Sequence, residues 1–116
     1  MEKRKHKRVS LQDKGWHARL VDQVTGDVLG DIVNLSPGGM MLITSRDFEV
    51  ESLHQVECHA TSPEGKITRF TAGTMALWRA EASQMHTYWV GLQIIDIDEA
   101  SRSRLLALGN SMAASG

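Results

Sequence analysis

Residues 31–44 read "DIVNLSPGGMMLIT". One apolar stretch ends at "SPGG" and a second starts directly after it. Ser36-Pro37 sets up a turn, and Gly38-Gly39 permits backbone angles that other residues resist. The segment is therefore read as two strands joined by a tight break, and that reading organises what lies on either side.

Upstream, "TGD" at 25–27 is a hairpin signal, so "VLGDIVNL" is the return strand of "GWHARLV", where Trp16, Ala18 and Leu20 alternate with His17, Arg19 and Val21. Downstream, "MMLIT" is a short apolar strand and "SRDFEVES" a loop. Residues 53–61 alternate again, and "SPEGK" turns the chain. Thr68 to Trp78 is a long strand with Phe70, Ala72, Thr74, Ala76 and Trp78 on one face, and Thr71, Gly73, Met75 and Leu77 on the other. "RAEASQMHT" is a loop. Tyr88 to Ile95 is the last strand, with Val90, Leu92 and Ile94 facing one way.

The period then changes. Asp98 can cap a helix, Glu99 suits its first turn, and Leu105, Leu108 and Met112 fall at helical spacing with Leu106 beside them. Gly109 is expected to weaken or end the regular part, and "AASG" to fray. The fold class is all-β: a small six-stranded antiparallel barrel, since closure removes exposed strand edges, with a C-terminal α-helix over an open end or one face. The expected divisions are a flexible basic arm at 1–11, the barrel at 12–97 and the helix at 98–113.

Length and composition agree with one domain: 116 residues, 12.8 kDa and 41% apolar residues, enough for a modest core. The formal net charge of -1 hides an asymmetry. Lys3, Arg4, Lys5, Lys7 and Arg8 are five of the 13 basic residues, while residues 9–116 carry a net charge of -5. A positive arm preceding an acidic body calls for an anionic partner, or for a solvated tail. No apolar run has transmembrane length, and no signal-peptide core follows the basic start, so a cytoplasmic protein without membrane insertion is expected.

Asn34 and Ser36 lie two apart, so in extended chain they point the same way. An amide and a hydroxyl together can read the polar edge of a base, and they can equally stabilise their own turn. Arg4 and Arg8 lie four apart in the arm, and guanidinium groups grip phosphate or a guanine edge in bidentate fashion and stack on bases. The acidic body would repel a long polyanion, so a compact anionic ligand suits the arm better than nucleic acid.

Arg4-x-x-x-Arg8 followed by Asn34-x-Ser36-x-x-Gly39 resembles the paired signature of the PilZ domain family. "LWR" at 77–79 and "WVGLQI" at 89–94 are similar to that family's late strands. The resemblance runs from Arg4 through the helix near residue 112. It implies a small barrel of six strands with a C-terminal helix, and reception of the bacterial second messenger cyclic di-GMP without catalysis. By that resemblance Arg4 and Arg8 fold over the ligand, contacting phosphate and guanine. Asn34 and Ser36 hydrogen-bond it from the barrel surface, and Gly39 keeps the turn open for close approach. Lys5 and Lys7 are further candidates for phosphate contacts, with Gly38 beside the motif and Arg79 near Trp78. The implied output is an adaptor: closure presents a new surface to an unidentified downstream protein. A monomer is the default, with a dimer as the other arrangement. The alternative is a barrel of the same family that binds no nucleotide and serves only as a protein-interaction module.

The remaining candidates carry less. Cys58 shares a strand face with Val56 and Ala60, which makes it a buried structural thiol. His54 and His59 flank it, yet Cys58 and His59 point to opposite faces and the spacing matches no zinc pattern. Trp16, Trp78 and Trp89 are read as barrel packing or rim rather than as an aromatic platform. Arg19 is read as surface charge. Asp96, Asp98 and Glu99 sit where helix capping explains them. No Ser-His-Asp grouping or phosphate loop is present, so no enzyme and no cofactor are expected.

Overall fold

The structure is a computed structural model that describes residues 15–114. The arm with Arg4, Lys5, Lys7 and Arg8 lies outside the described residues. Six strands follow in chain order: β1 (His17–Asp22), β2 (Val28–Ser36), β3 (Gly39–Thr44), β4 (Leu53–Thr61), β5 (Ile67–Glu81) and β6 (Tyr88–Asp96). One helix, α1 (Glu99–Ala114), completes the order. The strands close into a barrel in the order β1-β2-β3-β6-β5-β4, every neighbouring pair antiparallel. The barrel and helix expected from the pattern are thus present.

The turn between β1 and β2 shows why "TGD" reads as it does. The Asp22 carboxylate accepts hydrogen bonds from the amides of Val24 (2.8 Å) and Thr25 (3.1 Å), and the Gly26 amide donates to the Asp22 carbonyl. Those amides, Thr25 first, hold the Asp22 carboxyl below its ordinary range.

Alternation sets what goes inside. Leu20, Ile32, Leu42, Val56, Cys58, Phe70 and Val90 are almost fully buried in one cluster. Cys58 takes the place expected of it between Val56 and Ala60, and burial pushes its thiol up to about 12, so it stays protonated and inert. Buried hydroxyls are paired: Thr44 donates to the Leu29 carbonyl at 2.6 Å and Thr74 to the His54 carbonyl at 2.9 Å. The loop at residues 45–52 contributes to the core as well. Phe48 is buried there, with its ring 4.9 Å from that of His54. Polar neighbours in "SRDFEVES" conceal this apolar anchor.

Two expectations about β5 need correction. The strand runs to Glu81 rather than ending at Trp78, because Arg79, Ala80 and Glu81 pair with Val90, Trp89 and Tyr88. Trp78 does not share the inner face of Phe70, Ala72, Thr74 and Ala76. A register shift between Ala76 and Trp78 breaks the alternation, and Trp78 emerges 41% exposed.

The helix begins as its sequence suggests. The Ser101 amide donates to the Asp98 carboxylate at 2.7 Å, an N-cap bond. Gly109 does not end it: the helix continues to Ala114, because Met112, beyond the glycine, is buried with Leu105 and Leu108 in the barrel's own cluster. Burial of each such side chain is worth about 1.5–3 kcal/mol, more than the ~1 kcal/mol cost of a helical glycine. β5 extends past the end of β6, and there the Thr71 amide donates to the buried Ser101 hydroxyl at 3.0 Å. The helix thereby satisfies a strand amide while covering it.

Candidate functional site

The turn after β2 places the motif residues. In the β2–β3 pair Asn34 faces Met41 and Ser36 faces Gly39. In the β3–β6 pair Met41 faces Gly91 and Gly39 faces Gln93, and in the β6–β5 pair Gly91 faces Trp78. One row of outward residues therefore crosses four strands as Asn34, Met41, Gly91 and Trp78. These residues line a groove of about 320 Å³ together with Ser36, Gly38, Gly39 and Gln93. The structure brings Asn34, Ser36, Gly38 and Gly39 to one concave surface.

The chemistry of the groove follows from who has a partner. The Ser36 hydroxyl donates to the Gly39 carbonyl at 3.3 Å, so it supports the turn and keeps its lone pairs for an incoming donor. No hydrogen bond joins the Asn34 side chain to another described residue, which leaves its amide donors and its acceptor available. The Ile94 amide donates to the Gly38 carbonyl at 2.9 Å and ties the turn to β6, so the polar groups stand on a fixed platform.

Gly39 has a different cause from the one the sequence suggests. A Cβ there would overlap the carbonyl oxygen of Leu92, so the residue is small because β3 and β6 approach closely at that point. Gly91 is the corresponding case across the groove. A Cβ at 91 would overlap the Trp78 indole, so the absent side chain is what lets the ring rest against β6. Trp78 is the groove residue that alternation misplaces. Its signal in the sequence is the strand-interior glycine of "WVGLQI", since such a glycine marks a close approach.

The described residues that line it carry no charge. An anionic ligand seated here would take its counter-charge from elsewhere in the chain. Arg79 is not part of the groove wall. Its guanidinium pairs with Asp47, donates to the Phe48 carbonyl at 3.4 Å and lies 5.1 Å from the Tyr88 ring centroid. Among the described residues no cluster of His, Cys, Asp and Glu has the geometry to hold a metal ion, and no helix is long and apolar enough to cross a membrane.

A closed six-stranded barrel with an outer groove at the turn after its second strand, and a helix packed on the fifth, defines the class. The chain belongs to the PilZ domain family, whose model matches residues 2–109. Its fold is similar to the PilZ domain of Escherichia coli YcgR solved with c-di-GMP, with a TM-score of 0.66 at 12% identity, covering 97% of this chain and 93% of that one. It is similar also to K. pneumonia MrkH in its apo state, with a TM-score of 0.64 at 15% identity and 98% of this chain covered. The Bacillus subtilis inhibitor of motility MotI/DgrA gives a TM-score of 0.60 at 10% identity, again over 98% of this chain. The chain spans about half the length of the last two, 54% and 53%. At these identities the likeness speaks for the fold. A search of the curated proteins matches nothing.

Proposed function

We propose that this chain is a non-catalytic receptor for cyclic di-GMP, with Asn34, Ser36 and Gly39 on the barrel and Arg4 and Arg8 in the arm as its binding residues. The observation that carries the reading is the groove, uncharged among the described residues, in which the Asn34 amide, without a hydrogen-bond partner among them, and a half-exposed Trp78 face the same space. An amide reads a purine edge by donating and accepting at once, and an indole offers a stacking face for a base. Neither neutralises phosphate. The matched family span includes residues 4–8, which supply the missing cations. The family membership and the similarity to a barrel solved with c-di-GMP support the same ligand.

In this mechanism residues 1–11 fold over the ligand. Arg4 and Arg8 donate charge-assisted hydrogen bonds to phosphate and guanine, offsetting the entropy of ordering the arm. Lys5 and Lys7 add charge beside them. Closure places the arm against the barrel and alters the surface offered to a downstream protein. Arg79, already engaged by Asp47, has no part in the proposed contact set.

Calorimetric titration of cyclic di-GMP into the pure protein tests this, run beside Arg8→Ala and a GTP control at the same salt concentration. Saturable binding that the variant loses and GTP lacks is the expected result. A flat trace from folded protein at high concentration would favour instead the reading of a protein-interaction module that binds no nucleotide.

A further inference from the structure

The opposite arc of the barrel carries a second row. In the ladders Asp31 faces Arg19, Arg19 faces His59, and His59 faces Arg69. Their side chains line a groove of about 370 Å³ that also includes Thr61 and Ile67. Arg69 and Ile67 continue into an adjoining depression that Arg104 of α1 completes.

Most features of this row are unusual for the molecule that bears it. Residues 15–114 hold seven Lys and Arg against twelve Asp and Glu, yet three of those seven cations converge here. Elsewhere Arg46 is 3.8 Å from Asp27 and Arg79 pairs with Asp47. Arg19 and Arg69 are both exposed and neither forms an ion pair among the described residues, even though Asp31 stands next to Arg19 in the register. His59 is taken up by Glu57, its Nε2 lying 2.9 Å from the carboxylate.

We infer that the β2-β1-β4-β5 arc is a docking surface for an acidic, extended segment of a partner protein. Spacing argues for that occupant. Arg19 and Arg69 stand on strands separated by one other, roughly 10 Å apart at the backbone. One phosphate does not reach both, whereas carboxylates spaced along an extended segment do. Ile67, 59% exposed, gives an apolar contact between charged groups. A nucleic acid fits less well, because no Trp, Tyr or Phe among the described residues lines the groove to stack bases. The surface shares β2 and β5 with the nucleotide groove but none of its lining residues.

The test is fluorescence anisotropy on the full chain at fixed ionic strength. The probe is a labelled synthetic peptide of repeated Glu-Leu-Glu, with a single-stranded DNA of equal net charge as competitor class. The Arg19→Glu/Arg69→Glu double variant is compared with Arg46→Glu/Arg102→Glu, which makes the same change of charge away from the groove. We expect the first pair to weaken peptide binding about tenfold and the second less than about twofold, with DNA binding weaker than peptide. Arg19→Gln/Arg69→Gln repeats the measurement with a milder change should the reversed charges unfold the barrel. Equal losses in both pairs, DNA binding as tight as peptide, or no peptide binding by the unaltered protein would each overturn the inference.

Discussion

The two arcs of the barrel wall are built alike and furnished oppositely. On one, Asn34, Met41, Gly91 and Trp78 cross β2, β3, β6 and β5 in register; on the other, Asp31, Arg19, His59 and Arg69 cross β2, β1, β4 and β5. In both, residues far apart in sequence become neighbours because antiparallel pairing brings outward positions into line. The first row has an amide and an indole and no charge. The second has two guanidiniums that form no ion pair among the described residues, and no Trp, Tyr or Phe. A closed barrel commits its inward residues to packing, so recognition is written only in the outward half of each strand. What differs is where the cation comes from. In the proposed function the first groove takes it from residues 4–8, while the opposite arc has it fixed on strands.

The largest effect that would break this contrast concerns the borrowed charge. Arg8→Ala is expected to cost about 2–3 kcal/mol of cyclic di-GMP affinity, on the order of a hundredfold, by removing charge-assisted hydrogen bonds to the ligand. Titration calorimetry reads it directly. An affinity within threefold of the unaltered protein would mean that the uncharged groove suffices alone. Raising the salt concentration should weaken the unaltered protein's binding more than the variant's, since fewer charges remain to be screened.

Stability separates the two glycines that shape the same groove. Gly39→Ala drives a methyl group into the Leu92 carbonyl, which is backbone and cannot step aside, whereas Gly91→Ala meets a side chain that can swing out. Urea unfolding should show a loss of ~2–3 kcal/mol for Gly39→Ala and less for Gly91→Ala. Gly91→Ala should instead weaken the ligand by displacing Trp78. The reverse order of stabilities would count against the strand-approach account of Gly39.

Trp78→Ala is expected to weaken cyclic di-GMP by ~1–2 kcal/mol through lost stacking, and to leave the acidic peptide untouched. The double change at Arg19 and Arg69 should do the opposite. This crossed pair of measurements sharpens the comparison most, because a Trp78→Ala variant that weakens both ligands would make the arcs one surface.

Much of this was legible in the sequence, for identifiable reasons. Counting by twos puts Asn34 and Ser36 on one face, and it holds there because the β2–β3 register shift falls between Ile32 and Asn34, before the motif rather than inside it. In β5 the shift falls between Ala76 and Trp78, so counting by twos carried Trp78 to the wrong side. A bulge depends on what the partner strand does, and local alternation holds no record of that. Gly39 was legible as a necessary glycine, but its cause, the Leu92 carbonyl, lies 53 positions away on another strand. The cationic arc was hidden in the same way. Arg19, His59 and Arg69 each look like ordinary surface charge until three strands are laid side by side.

The smallest effect tests a region outside both grooves. His54 is half-buried beside Phe48, with its Nε2 2.7 Å from the Ser52 hydroxyl. Burial holds its ring below the ordinary value of 6.5, against a weaker opposing pull from the Asp22 carboxylate. As pH falls below that value the unfolded chain takes up a proton that the folded ring resists, so stability declines over the interval and levels off once folded His54 is protonated. The ring is partly in solvent, which makes the slope shallow. Comparing urea midpoints at about pH 7.5 and about pH 5.5, the unaltered protein should lose slightly more than His54→Asn, which has no titrating ring. Because His54 lines neither groove, that difference should appear in unfolding and not in the affinity for nucleotide or peptide at fixed pH. A larger loss in the variant than in the unaltered protein would show that the ring is held charged, not neutral, in the fold.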